Sequence, residues 1–162
     1  MITNSLRLLT LAVMLSASPA QAQLPDLAAP PQGTAQWIAR SMRMNGLPMR
    51  LKAFESRLPP DAVLAHYESH LKSSGSHETR RSIKSPWRVL TGEAGDNLIT
   101  VHARAVSAGS EGTILVSPSL DGARPQVRTE FPRPPTARIV NLQQYDDAGM
   151  RSEHISLASD RT

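Results

Sequence analysis

A chain of 162 residues is long enough for one modest hydrophobic core, and the complete absence of cysteine excludes a disulfide framework and any thiolate metal site. Two Trp, two Tyr and two Phe are too few rings for a base-stacking platform, so nucleic-acid readout is not expected. A formal net charge of +4 tolerates anionic partners without demanding one.

The N-terminus carries Arg7, an apolar stretch from Leu8 to Leu15, and Ser16-Ala17-Ser18-Pro19 ahead of Ala20-Gln21-Ala22. A positive end, a short apolar run and a small-x-small site predict a cleavable secretory signal peptide over residues 1–22, cut after Ala22. The apolar run falls far short of the ~18–20 residues that span a bilayer, so no membrane span is expected, and no cysteine follows it for lipid attachment. The mature chain is therefore expected in the periplasm or secreted. Lack of cysteine fits a bacterial envelope better than a disulfide-stapled exported eukaryotic domain.

Residues 23–33 (QLPDLAAPPQG) lack any apolar period and predict an irregular leader. Trp37, Ile38, Met42 and Met44 precede Asn45-Gly46, a dipeptide suited to a tight hairpin. Leu47, Met49, Leu51 and Ala53 alternate with Pro48, Arg50 and Lys52, the period of a strand with one buried face, and Phe54 breaks the alternation as a bulge or strand end would. Pro59-Pro60 then opens a helix to Ser74, with Val63, Leu64, Tyr67 and Leu71 as its apolar stripe and Gly75 as its stop. Strands are expected over 78–83, 87–91, 98–106 and 113–120, separated by turns at 92–97 and 107–112. This completes a β-β-α-β-β-β-β unit over 34–122.

Residues 124–138 (RPQVRTEFPRPPTAR) form a proline- and arginine-rich strap or linker, assigned to 123–138, in which Arg124, Arg128, Arg133 and Arg138 are interaction candidates. Polyproline backbone is already extended and loses little entropy in a partner's groove. Two short strands around Asp146-Asp147-Ala148-Gly149 make a C-terminal hairpin over 139–162. Met150-Arg151 after a Gly-containing turn faintly echoes Met49-Arg50. Two unrelated hairpins explain the echo; in a true repeat the second hairpin would lack its covering helix.

A strand ending in Phe54 and Ser56, a helix with Val63-Leu64-Ala65-x-Tyr67 and Leu71, and a Trp-bearing strand followed by two more resemble a small α+β module of exported proteobacterial proteins. Met49 to Leu120 carry the resemblance, through packing residues. It implies a fold and a compartment and no catalytic residue.

His66 and His70 stand four apart on the helix, a spacing that lets two imidazoles reach one metal, with His77 as the only nearby third ligand. Glu68 belongs on the other side of the apolar stripe and could not serve water held by that pair. Ala108-Gly109-Ser110-Glu111-Gly112 superficially resembles a nucleophile elbow, but a strand follows where the elbow needs a helix. No P-loop, dinucleotide fingerprint or EF-hand is present, so no cofactor and no catalytic residue is assigned.

Strand parity supplies the most specific constellation. With Met49, Leu51, Trp87, Val89, Ile99, Val101, Ala103, Ile114 and Val116 beneath the helix, Arg50, Lys52, Arg88, His102 and Arg104 would project from the opposite face as a basic platform. The expected architecture is α+β: an antiparallel sheet of about four to six strands with one main helix on one face, plus a C-terminal hairpin. The expected function is a non-catalytic periplasmic binding or scaffold protein of a secretion- or pilus-type envelope assembly, with a protein partner. The alternatives are a small hydrolase or metal-dependent enzyme, and a binder of anionic lipid or polysaccharide.

Overall fold

The computed structural model describes residues 24–76, 78–119, 127–147 and 149–159, with the backbone alone at Asp147. The expected signal peptide, His77 and Arg124 lie outside the described residues. The elements are β1 (Gly33–Met44), β2 (Leu47–Ser56), α1 (Pro60–Ser73), β3 (Thr79–Lys84), β4 (Trp87–Ala94), β5 (Asn97–Val106), β6 (Gly109–Pro118), β7 (Ala137–Asp147) and β8 (Met150–Ser159).

These strands form one antiparallel sheet of eight, in the order β3-β4-β5-β6-β2-β1-β7-β8. The expected α+β class is therefore corrected to a sheet-dominated fold, with a single short helix among the described residues. The C-terminal hairpin does not stand apart, because β1 has a free edge once β2 has taken β6, and β7 pairs there through Met42–Tyr145, Arg43–Gln144 and Met44–Gln143. Local sequence could not announce that pairing, since its partners lie about a hundred residues apart and follow no local pattern.

The β1–β2 turn also clasps the hairpin. Asn45 and Gly46 have φ of 51° and 82°, the two left-handed positions of a twist-matched two-residue turn. The Asn45 amide donates to the Leu142 carbonyl at 2.8 Å, and the Leu142 amide donates back to Asn45 Oδ1 at 2.9 Å. Leu142 is fully buried, so both polar groups of its backbone are satisfied by one turn residue.

The helix forms where its local signals place it. Pro60 occupies the first turn, where a missing N–H costs nothing, and Asp61 there and Lys72 in the last turn complement the helix dipole. Its buried stripe, Val63, Leu64, Tyr67 and Leu71, packs on Leu90, Ile99, Val101, Ala103, Ile114, Val116 and Phe54. Two strand glycines mark close approaches, one to the helix and one between neighbouring strands. A Cβ on Gly92 would lie 2.9 Å from Leu71, and one on Gly112 would meet the Phe54 ring at 2.7 Å.

The leader completes this core without secondary structure of its own. Leu27 is buried with the helix stripe, and the buried Tyr67 donates its hydroxyl to the Ala28 carbonyl at 2.8 Å. Burial pushes that phenol above its ordinary range. Ser56 Oγ donates to the Pro31 carbonyl, and the Arg57 amide to that of Gln32. Pro30 and Pro31 have no N–H, so the segment docks chiefly by offering acceptors.

Candidate functional site

In an antiparallel ladder, residues directly opposite one another share a face, so the register decides which basic side chains lie together. Ile99 faces Val116 and Val101 faces Ile114, and these line the α1 side as expected; Leu90, opposite Val101, lies there too, in place of the expected Trp87 and Val89. Lys52, however, also faces Ile114, and Arg50 faces Val116. Arg50 and Lys52 are therefore on the same face as α1, together with Phe54, whereas Met49, Leu51 and Ala53 are on the other. Phe54 causes no bulge: β2 pairs with β6 without a register shift, and the irregularities fall in β1, between Trp37 and Met42.

The two cations are covered by the leader. Lys52 Nζ pairs with Asp26 and donates to the Leu27 carbonyl at 2.8 Å, while Arg50 donates to the carbonyls of Leu24 at 2.6 Å and Arg40 at 3.2 Å. Arg88 too is on the α1 side, ion-paired with Asp61 in the first helical turn. Trp87 and Val89 accordingly face away from α1. Strand parity misleads in β2 and β4 because both faces of these strands carry apolar residues, and alternation alone does not say which set is covered.

His102 and Arg104 do lie on the face opposite α1. Arg104 sits 4.8 Å from the centroid of the Trp87 ring and pairs with Glu111, its Nε donating at 2.6 Å; the His102 ring lies 6.3 Å from Trp87. Burial, and secondarily the Lys84 charge, lower the His102 pKa below its ordinary value. Beside this group is an open concavity of about 450 Å³ lined on this face by Thr34, Gln36, Glu55, Trp87, Glu111 and Thr113. Arg104 neutralises Glu111, and His102 has no carboxylate partner among the described residues, so no oriented acid–base pair is assembled. Thus the five residues expected on one basic platform divide three to two between opposite faces.

His66 and His70 are exposed on α1, and Glu68 on the other side of the stripe binds Lys72, Arg81 and Thr79 instead. Among the described residues no group of three or more His, Cys, Asp or Glu could hold a metal. Ser110 is buried within β6 and donates to the Leu58 carbonyl at 2.8 Å; no helix follows it. Gly109 to Gly112, expected in a turn, belong to β6.

The strap runs exposed over 127–136 and is fastened to the hairpin: Thr129 Oγ1 donates to Glu153 at 2.8 Å, and Gln144 Nε2 to Glu153 at 2.6 Å and to the Arg128 carbonyl at 3.4 Å. Arg128, Arg133 and Arg138 are exposed. Beyond them β8 forms the end of the sheet, with β7 on one side and no strand among the described residues on the other. No described helix is long and apolar enough to cross a membrane. Comparison with protein-family models, with curated proteins and with solved structures finds no match to this chain.

Proposed function

We propose that the chain is a non-catalytic binding or scaffold protein of a secretion- or pilus-type envelope assembly, which takes up an extended segment of a protein partner along β8. The observation that carries this reading is where apolar surface is left exposed. Among the described residues, five of the eight large exposed hydrophobic side chains belong to the strap and hairpin: Val127, Phe131, Val140, Met150 and Leu157. They lie beside an unpaired ten-residue edge that has no proline and no lysine, and no Asp, Glu, Lys or Arg from His154 to Ser159. Strand addition needs only such an edge, because main-chain hydrogen bonds supply affinity and neighbouring apolar contacts supply selection. The export signal expected over residues 1–22 supports an envelope setting.

Photo-crosslinking in cells tests the reading, with the full-length protein carrying the reactive group at Ser156 on β8 or at Ser82 on β3. The expected result is one identified envelope protein, cross-linked through a single extended peptide from Ser156 and not from Ser82. Proline at Ser156 or at Leu157 should abolish it, since one of two adjacent N–H groups in β8 points away from β7. Products with a second copy of the chain alone, or equal products from both edges, would overturn it.

A further inference from the structure

Four side chains from β1 and β2 converge beside the leader in an arrangement that strand docking does not use. Trp37 faces Lys52 across the β1–β2 ladder, with the Lys52 ammonium 4.3 Å from the indole centroid. The guanidinium of Arg50 lies 5.2 Å from the same centroid and that of Arg40 5.6 Å. Each is within the range at which a cation is attracted to the indole quadrupole, but that attraction orients a charge without neutralising it. Carbonyl oxygens do the same for Arg50, whose Nε and Nη1 are held by Arg40 and Leu24.

Only Asp26 offsets the three positive charges: it ion-pairs with Lys52, while neither Arg40 nor Arg50 has a carboxylate within ion-pairing distance among the described residues. Lys52 is largely covered, at 13% side-chain exposure, whereas Arg40 is exposed and Arg50 half-buried. The result is a pre-oriented niche with two positive charges in excess, lined by two guanidinium groups that retain donors.

We propose that Trp37, Arg40, Arg50 and Lys52 form a binding site for a phosphate group, as carried by a phosphomonoester or a phospholipid headgroup. Guanidinium forks match phosphate oxygens two at a time, and the excess charge is balanced by one phosphomonoester dianion or by two adjacent monoanionic phosphodiester headgroups. Because Arg50 and Lys52 are already immobilised by the leader, a ligand loses little affinity to ordering them.

Intrinsic fluorescence tests the site. In the Trp87→Phe chain, Trp37 is the only indole left. Titration with inorganic phosphate, glycerol 3-phosphate and phosphatidylglycerol vesicles should give a saturable change with at least one probe, with a Kd at or below about 1 mM. Binding to the small phosphates assigns a soluble ligand, and binding to vesicles alone assigns a headgroup. Either supports the site if Arg40→Gln weakens it about tenfold while Arg133→Gln does not. Arg40 is exposed and holds no carboxylate, so this variant tests the site in a folded protein, with circular dichroism as the check. No saturable change with any probe, or equal affinity in Arg40→Gln, would overturn the proposal, and neither result bears on the β8 edge.

Discussion

β3 and β8 end the same sheet, but the chain treats their unpaired backbone in opposite ways. β3 is six residues long, carries Arg80, Arg81 and Lys84, and is roped to α1 through Glu68, which accepts from Thr79 at 3.1 Å and from Arg81 Nε at 2.9 Å. β8 has ten residues, an uncharged second half and no helix packed upon it. Short length and positive charge are the ordinary defences of an edge against unwanted pairing, and here they guard one end alone. On the proposed reading, the difference shows where a strand could be added without risking the core: the defended edge adjoins the α1 core, while the open edge lies three strands beyond β2, whose Phe54 packs in that core.

If the two ends differ in this way, their contributions to stability should differ too. Leu64→Ala, in the core under α1, should cost about 2–5 kcal/mol in urea denaturation, whereas Leu157→Ala on β8 should stay within about 0.5 kcal/mol. Equal losses would break the comparison. Asn45→Gly preserves the left-handed turn but leaves the buried Leu142 amide without its acceptor, and should cost about 1–3 kcal/mol. Hydrogen exchange should localise the loss to β7 and β8 and leave β3 to β6 protected.

Two smaller effects sharpen the description of the defended side. Hydrogen bonds from Lys72, and then from Arg81, lower the Glu68 pKa from 4.5 to about 2. Its stabilising contribution is therefore complete above pH 4.5 and is lost as pH falls towards 2. Solvent screening keeps the effect under about 1 kcal/mol, and Glu68→Gln should remove that part of the acid sensitivity while speeding hydrogen exchange in β3. For His102, whose neutral form is favoured by burial, the unfolded chain binds the proton first. Stability should then decline as pH drops below 6.5, and His102→Gln should flatten that slope in a pH series of melting curves.

Much of the local structure was legible beforehand because its causes are local. Pro60 and the Val63-Leu64-Tyr67-Leu71 stripe mark α1, and Asn45-Gly46 marks a turn by its tolerance of positive φ. Boundaries moved where a strong signal was read too broadly. Gly92 and Gly112, taken for turn residues, are strand positions at which a side chain would collide with Leu71 and Phe54 respectively. Of the basic platform, His102 and Arg104 were placed on the open face because β5 has a uniformly small or apolar covered side. Alternation also sends Arg50, Lys52 and Arg88 to the open face, whereas they lie on the α1 side; the niche around Trp37 has no sequence signal, because a bulge brings Arg40 back to the face of Trp37 and no period marks it.

What the sequence by itself determined, then, is the set of elements: which residues turn, which form a helix, and which alternate as strands. Those outcomes follow from φ preferences, missing donors and side-chain periodicity, all carried by neighbouring residues. Only the tertiary structure decided which face of β2 is covered, that the leader's backbone carbonyls would seat Arg50 and Lys52, and that β7 would join β1 to make one sheet of eight. Carbonyl acceptors are the same in every residue and strand edges have no sequence of their own, so these choices depend on which partners the fold brings within reach.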